Sequence, residues 1–292
     1  MKLLIIGHSV EDHFLIDNSG EIKPGGIYYT ASAFNYIKEP GDEIALLTAI
    51  EKNNYKLFSP VFDNFDNKYF QEVDSIPKVF LQIHKYDERD ECYNKITENL
   101  RINIDNINSF DGIIINMITG FDISLNQLIN IRRSYKGLIY FDVHTLSRGL
   151  EADGKRSFRV IPDFNKWAEM IDMIQVNQHE LLTLSDKKEQ LEIVKEILDT
   201  GTKYLILTLE DMGARIFYLE NGEVNSIFKP AIKIETKNKI GCGDIFGAVF
   251  FYSYFKWKDI NISLELANSA AGLTASNTDL KELKKLIKNV SR

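Results

Sequence analysis

Short apolar runs recur along this chain, each closed by a glycine or a polar residue and most of them followed by a segment with helical spacing. The runs cover residues 2–7, 43–50, 112–116, 138–142, 173–176 and 204–209. A strand that is apolar on both faces must be covered on both sides, which is how a parallel sheet lies between two layers of helices. Residues 27–38 place Ile27, Ala31, Phe34 and Ile37 on one helical face, and 124–133, 163–170 and 187–198 are further expected helices. Three more are expected over 244–256, about 261–275 and 279–289. Such alternation predicts a doubly wound α/β sheet.

Other stretches break the rhythm. Residues 13–22 predict a hairpin turning at Asp17-Asn18-Ser19-Gly20, and 79–93 a second one turning at Asp87-Glu88-Arg89-Asp90. Their polarity suits a half-exposed flap better than a core strand. Residues 51–78, rich in Tyr and Phe, are expected to form one or two irregular helices. Residues 143–160 are expected to be a polar loop, and 214–218 with 223–228 an antiparallel pair. No long linker divides the chain, so the expectation is a single domain over 1–292 with a small β lid made of about 13–24 and 79–94.

Composition narrows the function. The 292 residues include 44% hydrophobic and 26% charged side chains, and the net charge is −7. That balance suits a soluble globular protein and argues against a nucleic-acid partner, whose phosphates demand basic patches. No apolar stretch reaches membrane-spanning length, and the first apolar run is too short and too soon interrupted by His8 and Glu11 for a signal peptide. Cys92 and Cys242 are far apart and lack metal-ligand spacing, which predicts reduced thiols and a cytoplasmic setting. His84 and His144 show no zinc-ligand pattern.

The chemistry centres on Ile240-Gly241-Cys242-Gly243-Asp244, a glycine turn entering an apolar helix. One reading makes Asp244 a helix-start residue and the glycines mere turn formers. The other uses the unpaired N–H groups of Gly241, Cys242 and Gly243 as an anion hole beside a carboxylate base, the arrangement that phosphoryl transfer to a hydroxyl needs. Asn177-Gln178-His179-Glu180 likewise reads two ways. Asn177 with Glu180 three residues on is a capping box, and Glu180 could also hold hydrated magnesium. Asp142 ends a strand, where it could face a metal-bound water, and Arg148 follows as a candidate phosphate contact.

These motifs, taken in order, resemble the ribokinase-like (PfkB) family of carbohydrate kinases. Gly7 with Asp12 five residues later resembles the family's first strand and its substrate-binding aspartate. Gly25-Gly26 resembles the glycine pair that opens a helix beside the sugar, with Asn35 in that helix. Asn177-x-x-Glu180 is similar to the motif that positions magnesium and phosphate. Thr208-Leu209-Glu210, with Gly213 following, resembles the strand end before the nucleotide loop. Residues 238–244 resemble the second signature, and Asn268 the asparagine near adenine. The resemblance implies a three-layer α/β sandwich with a central, mostly parallel sheet and a β lid. It also implies ATP and Mg2+ as cofactors, a monovalent cation in some members, a sugar-like substrate and a homodimer joined through lid strands.

The pattern is degenerate in places. The usual Asp-Thr-Thr has become Asn238-Lys239-Ile240, so Lys239 either supplies a fixed charge or points to solvent. Glu210 replaces a glycine beside the nucleotide phosphates, and 71–79 lack the usual glycine-aspartate loop. The implied function is ATP-dependent phosphorylation of a sugar-like hydroxyl with Asp244 as general base. A nucleoside kinase of the same fold and a ligand-binding homologue without turnover are the alternatives. Gly7 lacks the G-x-G-x-x-G cluster of a dinucleotide-binding dehydrogenase.

Overall fold

The structure, a computed structural model, describes residues 1–14, 20–82, 90–94 and 98–290. The expected turns at 17–19 and 87–89 and the histidine at 84 lie outside them. In chain order, β1 (Lys2–Ile6), β2 (Ser9–Phe14) and β3 (Glu21–Gly26) lead into α1 (Ile27–Ile37) and β4 (Glu43–Glu51). Then come α2 (Ser59–Phe62), β5 (Phe70–Val73), β6 (Lys78–Gln82), β7 (Asp90–Asn94) and β8 (Gly112–Asn116). Next are α3 (Leu125–Ser134), β9 (Leu138–Asp142), β10 (Arg148–Leu150), β11 (Arg156–Phe158), α4 (Phe164–Ala168), β12 (Met173–Asn177) and α5 (Gln178–Leu181). The last part holds α6 (Gln190–Asp199), β13 (Tyr204–Thr208), β14 (Gly213–Glu220), β15 (Glu223–Pro230), α7 (Cys242–Trp257), α8 (Ile260–Ala275) and α9 (Leu283–Val290).

Nine strands form one sheet in the order β15-β14-β13-β12-β9-β8-β1-β4-β5. It is parallel from β5 to β13, and only β14 and β15 run antiparallel to their neighbours. The central strands are apolar on both faces because both are covered: Leu3, Leu4, Ile5, Ile6, Ile113, Ile114 and Ile115 are wholly buried. The antiparallel edge strand β15 instead alternates between exposed and half-buried residues, as a sheet wetted on one side must. Helices α1, α7, α8 and α9 pack together in one layer and α3, α4 and α6 in the other, giving the three-layer sandwich expected from the resemblance.

Two of the longer helices carry a side-chain start signal. Ser124 and Gln127 close a capping box on α3, and Asp259 accepts from Ile262 N at the head of α8. Helix α7 is apolar nearly all round and is buried from Asp244 to Ser253, the behaviour of a helix surrounded by protein. Its approach to the sheet is close: a Cβ at Gly247 would lie 2.7 Å from Gln175 Oε1.

A second, four-stranded sheet in the order β3-β2-β6-β7 stands where the lid was expected. Residues 9–12 belong to it. Only Gly7 and His8 separate β2 from the end of β1, and the charges of β2 are housed inside this second sheet. Glu11, 5% exposed, is bonded to Asn54, to His13 (2.9 Å) and to Lys78 (3.2 Å). Burial works against its ionisation, yet these bonds prevail and hold its carboxyl below the usual range. Two expectations change. The stretch 143–160 contains the β10–β11 hairpin, and 51–78 contributes β5 to the sheet edge besides its short helices.

Candidate active site

The C-terminal ends of parallel strands form the crevice where open α/β sheets bind ligands, and here β8, β9 and β12 deliver Asn116, Asp142 and Asn177 to it. Asp244 meets them from the first turn of α7, 7% exposed. Asn116 Nδ2 lies 3.3 Å from Asp244 Oδ1, 3.4 Å from Asp142 Oδ2 and 3.1 Å from Thr30 Oγ1. One amide thus gathers a base candidate, a second carboxyl and the first turn of α1. Its own Oδ1 is buried without a hydrogen bond. Gln175 Nε2 adds contacts to Asp142 Oδ2 (3.4 Å) and Gly243 O (3.1 Å).

Asp142 is buried, and its carboxyl is pushed well above the usual range, first by desolvation and then by the charges of Glu180 and Asp244. Three acids therefore converge electrostatically at this end of the sheet. Among the described residues no three His, Cys, Asp or Glu side chains gather closely enough to form a metal centre. The donor set suits magnesium, which keeps most of its waters and touches protein through one or two oxygens.

The glycine turn has the geometry an anion needs. Gly241 is the N-cap of α7 with φ 76° and ψ −2°, and no side chain caps the helix. A left-handed residue followed by a helix start aims successive N–H groups at one point. Among the described residues none accepts from the N–H groups of Gly241, Cys242 or Gly243. Cys242 Sγ lies 3.7 Å from Asn238 O, and its thiol is pushed up to about 12 by burial and then by the Asp244 charge. It stays protonated and packs as a small residue.

The lid brings its expected residues to the same side. Asp12, 5% exposed, lies directly over Gly25, where any Cβ would overlap its carboxyl group. Gly26 enters α1 with φ 62° and would place a Cβ 2.5 Å from His8 O. His8 itself is buried and kept neutral by desolvation, with its backbone N–H on Asp122 (2.7 Å). Asn35 is not brought to this cluster. It lies five residues beyond Thr30, about 140° around the helix, is half-buried, and has no hydrogen bond to the acids among the described residues. Thr30, wholly buried, is the residue of this helix that is bonded to Asn116.

On the opposite side the expected donor residues have partners within the chain. Asn177 and Glu180 form the capping box: Asn177 Oδ1 accepts from His179 N and Glu180 N at 2.9 Å each, and Glu180 Oε2 from Asn177 N at 2.8 Å. Thr208 Oγ1 donates to Val176 O (3.3 Å). Gly213, at φ 119°, has β15 so close that a Cβ would fall 2.7 Å from Pro230 C. Asn268 Nδ2 ties down Lys229 O (2.9 Å) and Pro230 O (3.3 Å). The two departures from the family pattern, Glu210 and Lys239, pair with each other at 3.0 Å, both largely exposed. Arg148 stacks on Phe158 at 4.0 Å, which in turn stacks on His179.

Sequence reasoning missed Asn116, Gln175 and Thr30. Gln175 offered a signal, a lone amide inside the apolar run Met173-Ile174-Gln175-Val176, because such a group is buried only with a partner.

Comparison with known proteins supports the fold and matches part of the chain to a family. Residues 152–285 match the family model of the pfkB family carbohydrate kinases. The fold matches a sulfate complex of a pyrophosphate-dependent kinase in the ribokinase family, with TM-score 0.79 and 18% identity over 98% of this chain and 100% of that one. It also matches ribokinase from Thermotoga maritima (0.76, 13%, 100% and 99%) and Arabidopsis thaliana ribokinase complexed with ribose and ATP (0.74, 16%, 98% of each chain). No curated protein matches the sequence. This chain is thus similar, in fold and motif order, to the PfkB, ribokinase-like carbohydrate kinases. Among the described residues no helix is long and apolar enough to cross a membrane.

Proposed function

We propose that this protein transfers a phosphoryl group from ATP to a hydroxyl of a sugar-like small molecule. One observation carries the reading: Asp244 is buried in the first turn of a helix whose leading N–H groups have no acceptor among the described residues. Those N–H groups would hold the moving phosphoryl oxygens, and Asp244 would take the proton of the attacking hydroxyl. Asn116 Nδ2 ties the carboxylate to Thr30 at the start of α1, and Asp12, Gly25 and Gly26 would meet the acceptor. Glu180 and Asp142 are the residues that would hold magnesium through its waters, and the ion would neutralise donor charge. Asn177, Thr208, Gly213 and Asn268 would border the donor. The reading needs no monovalent cation, since Asn238 accepts from Ile240 N and Lys239 pairs with Glu210. A homodimer through the lid edge at β3, where Ile22 is 50% exposed, belongs to the same proposal.

A second donor is favoured by the Glu210–Lys239 pair. Glu210 neutralises Lys239, so the turn after β13 offers a long nucleotide triphosphate no net positive charge, and a compact anion would rely on the N–H groups at Gly241 instead. Pyrophosphate, the donor named for one of the similar kinases, fits that arrangement.

The test is phosphate transfer from ATP and from pyrophosphate to a panel of pentoses, hexoses, cyclitols and nucleosides, with Asp244→Asn alongside. We expect acceptor-dependent turnover that falls by about 10²–10⁴ in the variant while its melting temperature holds. Acceptor binding with no turnover from either donor would instead make the protein a binder. Preference for nucleosides would make it a nucleoside kinase.

A further inference from the structure

We infer that Tyr140 and Gln175 are positioning residues of the transfer step: the tyrosine hydroxyl orients the glutamine amide, and the amide ties the glycine turn of α7 to Asp142. This rests on the phosphotransfer reading above. The parallel register sets Gln175 of β12 directly beside Asp142 of β9, and Tyr140 lies two residues before Asp142 on the same face. The pair meets α7 along its glycines. Gly243 O accepts from Gln175 Nε2 at 3.1 Å. One turn further on, a Cβ at Gly247 would fall 2.7 Å from Gln175 Oε1 and 3.3 Å from the Tyr140 hydroxyl. The missing side chain at 247 is the groove in which the amide lies.

Its neighbours dictate which way round the amide sits. Gly243 O can only accept, so the NH2 end must face it, and the same nitrogen reaches Asp142 Oδ2 at 3.4 Å. That leaves Oε1 needing a donor, and the Tyr140 hydroxyl supplies it. Tyr140 is wholly buried and Gln175 is 3% exposed, so a reversed amide would set oxygen against oxygen where the penalty is large. The Tyr140 ring is held in turn by Phe250 (6.1 Å) and Phe251 (5.5 Å) of α7. Asn116 makes the matching link from Asp142 to Asp244. Two primary amides thus clasp Asp142 to the first turn of α7, one through the Asp244 side chain and one through the backbone behind the glycine turn. Misplacing reacting groups by about 1 Å costs on the order of 10²-fold in rate, so a clasp that fixes this turn acts on turnover.

The experiment measures kcat, acceptor KM and melting temperature in wild type, Tyr140→Phe, Gln175→Met and the double variant, with whichever donor and acceptor the wild type uses. Calorimetry on the same four proteins measures binding of magnesium ATP and magnesium pyrophosphate. We expect kcat to fall about tenfold in Tyr140→Phe and somewhat more in Gln175→Met, with acceptor KM changed by no more than roughly threefold. Each single variant should melt below wild type, because each leaves its partner's buried polar group unpaired. The double variant removes both groups, so it should regain melting temperature yet turn over no faster than Gln175→Met. A pair that served only stability would regain turnover as well; that result, or losses of kcat that simply add, would overturn the proposal. Should Gln175→Met fail to fold, the double variant carries the comparison. If no pair of donor and acceptor turns over, the phosphotransfer reading fails and calorimetry decides. Donor affinity about fivefold weaker in Gln175→Met and in the double variant supports the clasp; unchanged affinity, or no donor binding to the wild type, overturns it.

Discussion

Helices α1 and α7 both begin at a glycine, and the chain treats the two entrances differently. Each starts from a glycine at positive φ, Gly26 at 62° and Gly241 at 76°, and neither has a side-chain cap. At α1 the fold uses the entrance itself. Ile27 N donates to His8 O at 3.0 Å, and a Cβ on Gly26 would press on that same carbonyl. At α7 the leading N–H groups have no acceptor among the described residues, and what lies over Gly241 is a side chain, Tyr29. A positive-φ glycine, with ψ −131° at Gly26 and −2° at Gly241, thus makes a joint in one place and in the other leaves N–H groups without an acceptor among the described residues. Unsatisfied donors at a helix start are costly unless something is meant to occupy them.

The comparison can be broken by substitution. Gly26→Ala meets immovable backbone as well as an unfavourable φ, and should cost about 3 kcal/mol or more of stability, read by chemical denaturation. Gly241→Ala carries a similar φ penalty, but a ring can swing aside where a carbonyl cannot. We expect about 2 kcal/mol, with turnover falling by more than the stability loss explains. Equal stability losses at the two positions would remove the distinction.

Glu11→Gln sharpens the lid side. The wild-type carboxylate has a depressed pKa in the fold, so its contribution is present above the unfolded value, about 4.3, and is lost as pH falls through the folded value. The variant should be less stable by about 1–2 kcal/mol at pH 7, and the gap should close in acid melts. Lys239→Ala removes an exposed pair and should cost under about 1 kcal/mol. Any larger change it makes should appear in donor KM.

Much of this architecture is legible in the chain because burial writes itself into short apolar runs. Residues 112–116 and 138–142 could be nothing but covered strands, and both are found as such. The polar strand β2 was not legible, because Glu11 and Asp12 read as loop residues until Asn54, His13, Lys78 and Gly25 are placed around them. Strands of three residues, such as β10 and β11, are too short to show a period. At the site, Gly241 and Asp244 announce themselves locally. Asn116 acts through partners 86 and 128 residues away, and no spacing rule reaches that far. Thr30 lay outside the motif, which gives residue types in order, whereas a helix presents them by angle.

The central claim is that the entrance of α7 is an anion site and that of α1 is not. Backbone amide NMR during a pyrophosphate titration tests it most directly. The account predicts saturating shifts at Gly241, Cys242 and Gly243 with Ile27 unmoved; shifts at Ile27 matching those at Gly243, or none at Gly241 to Gly243, would contradict it.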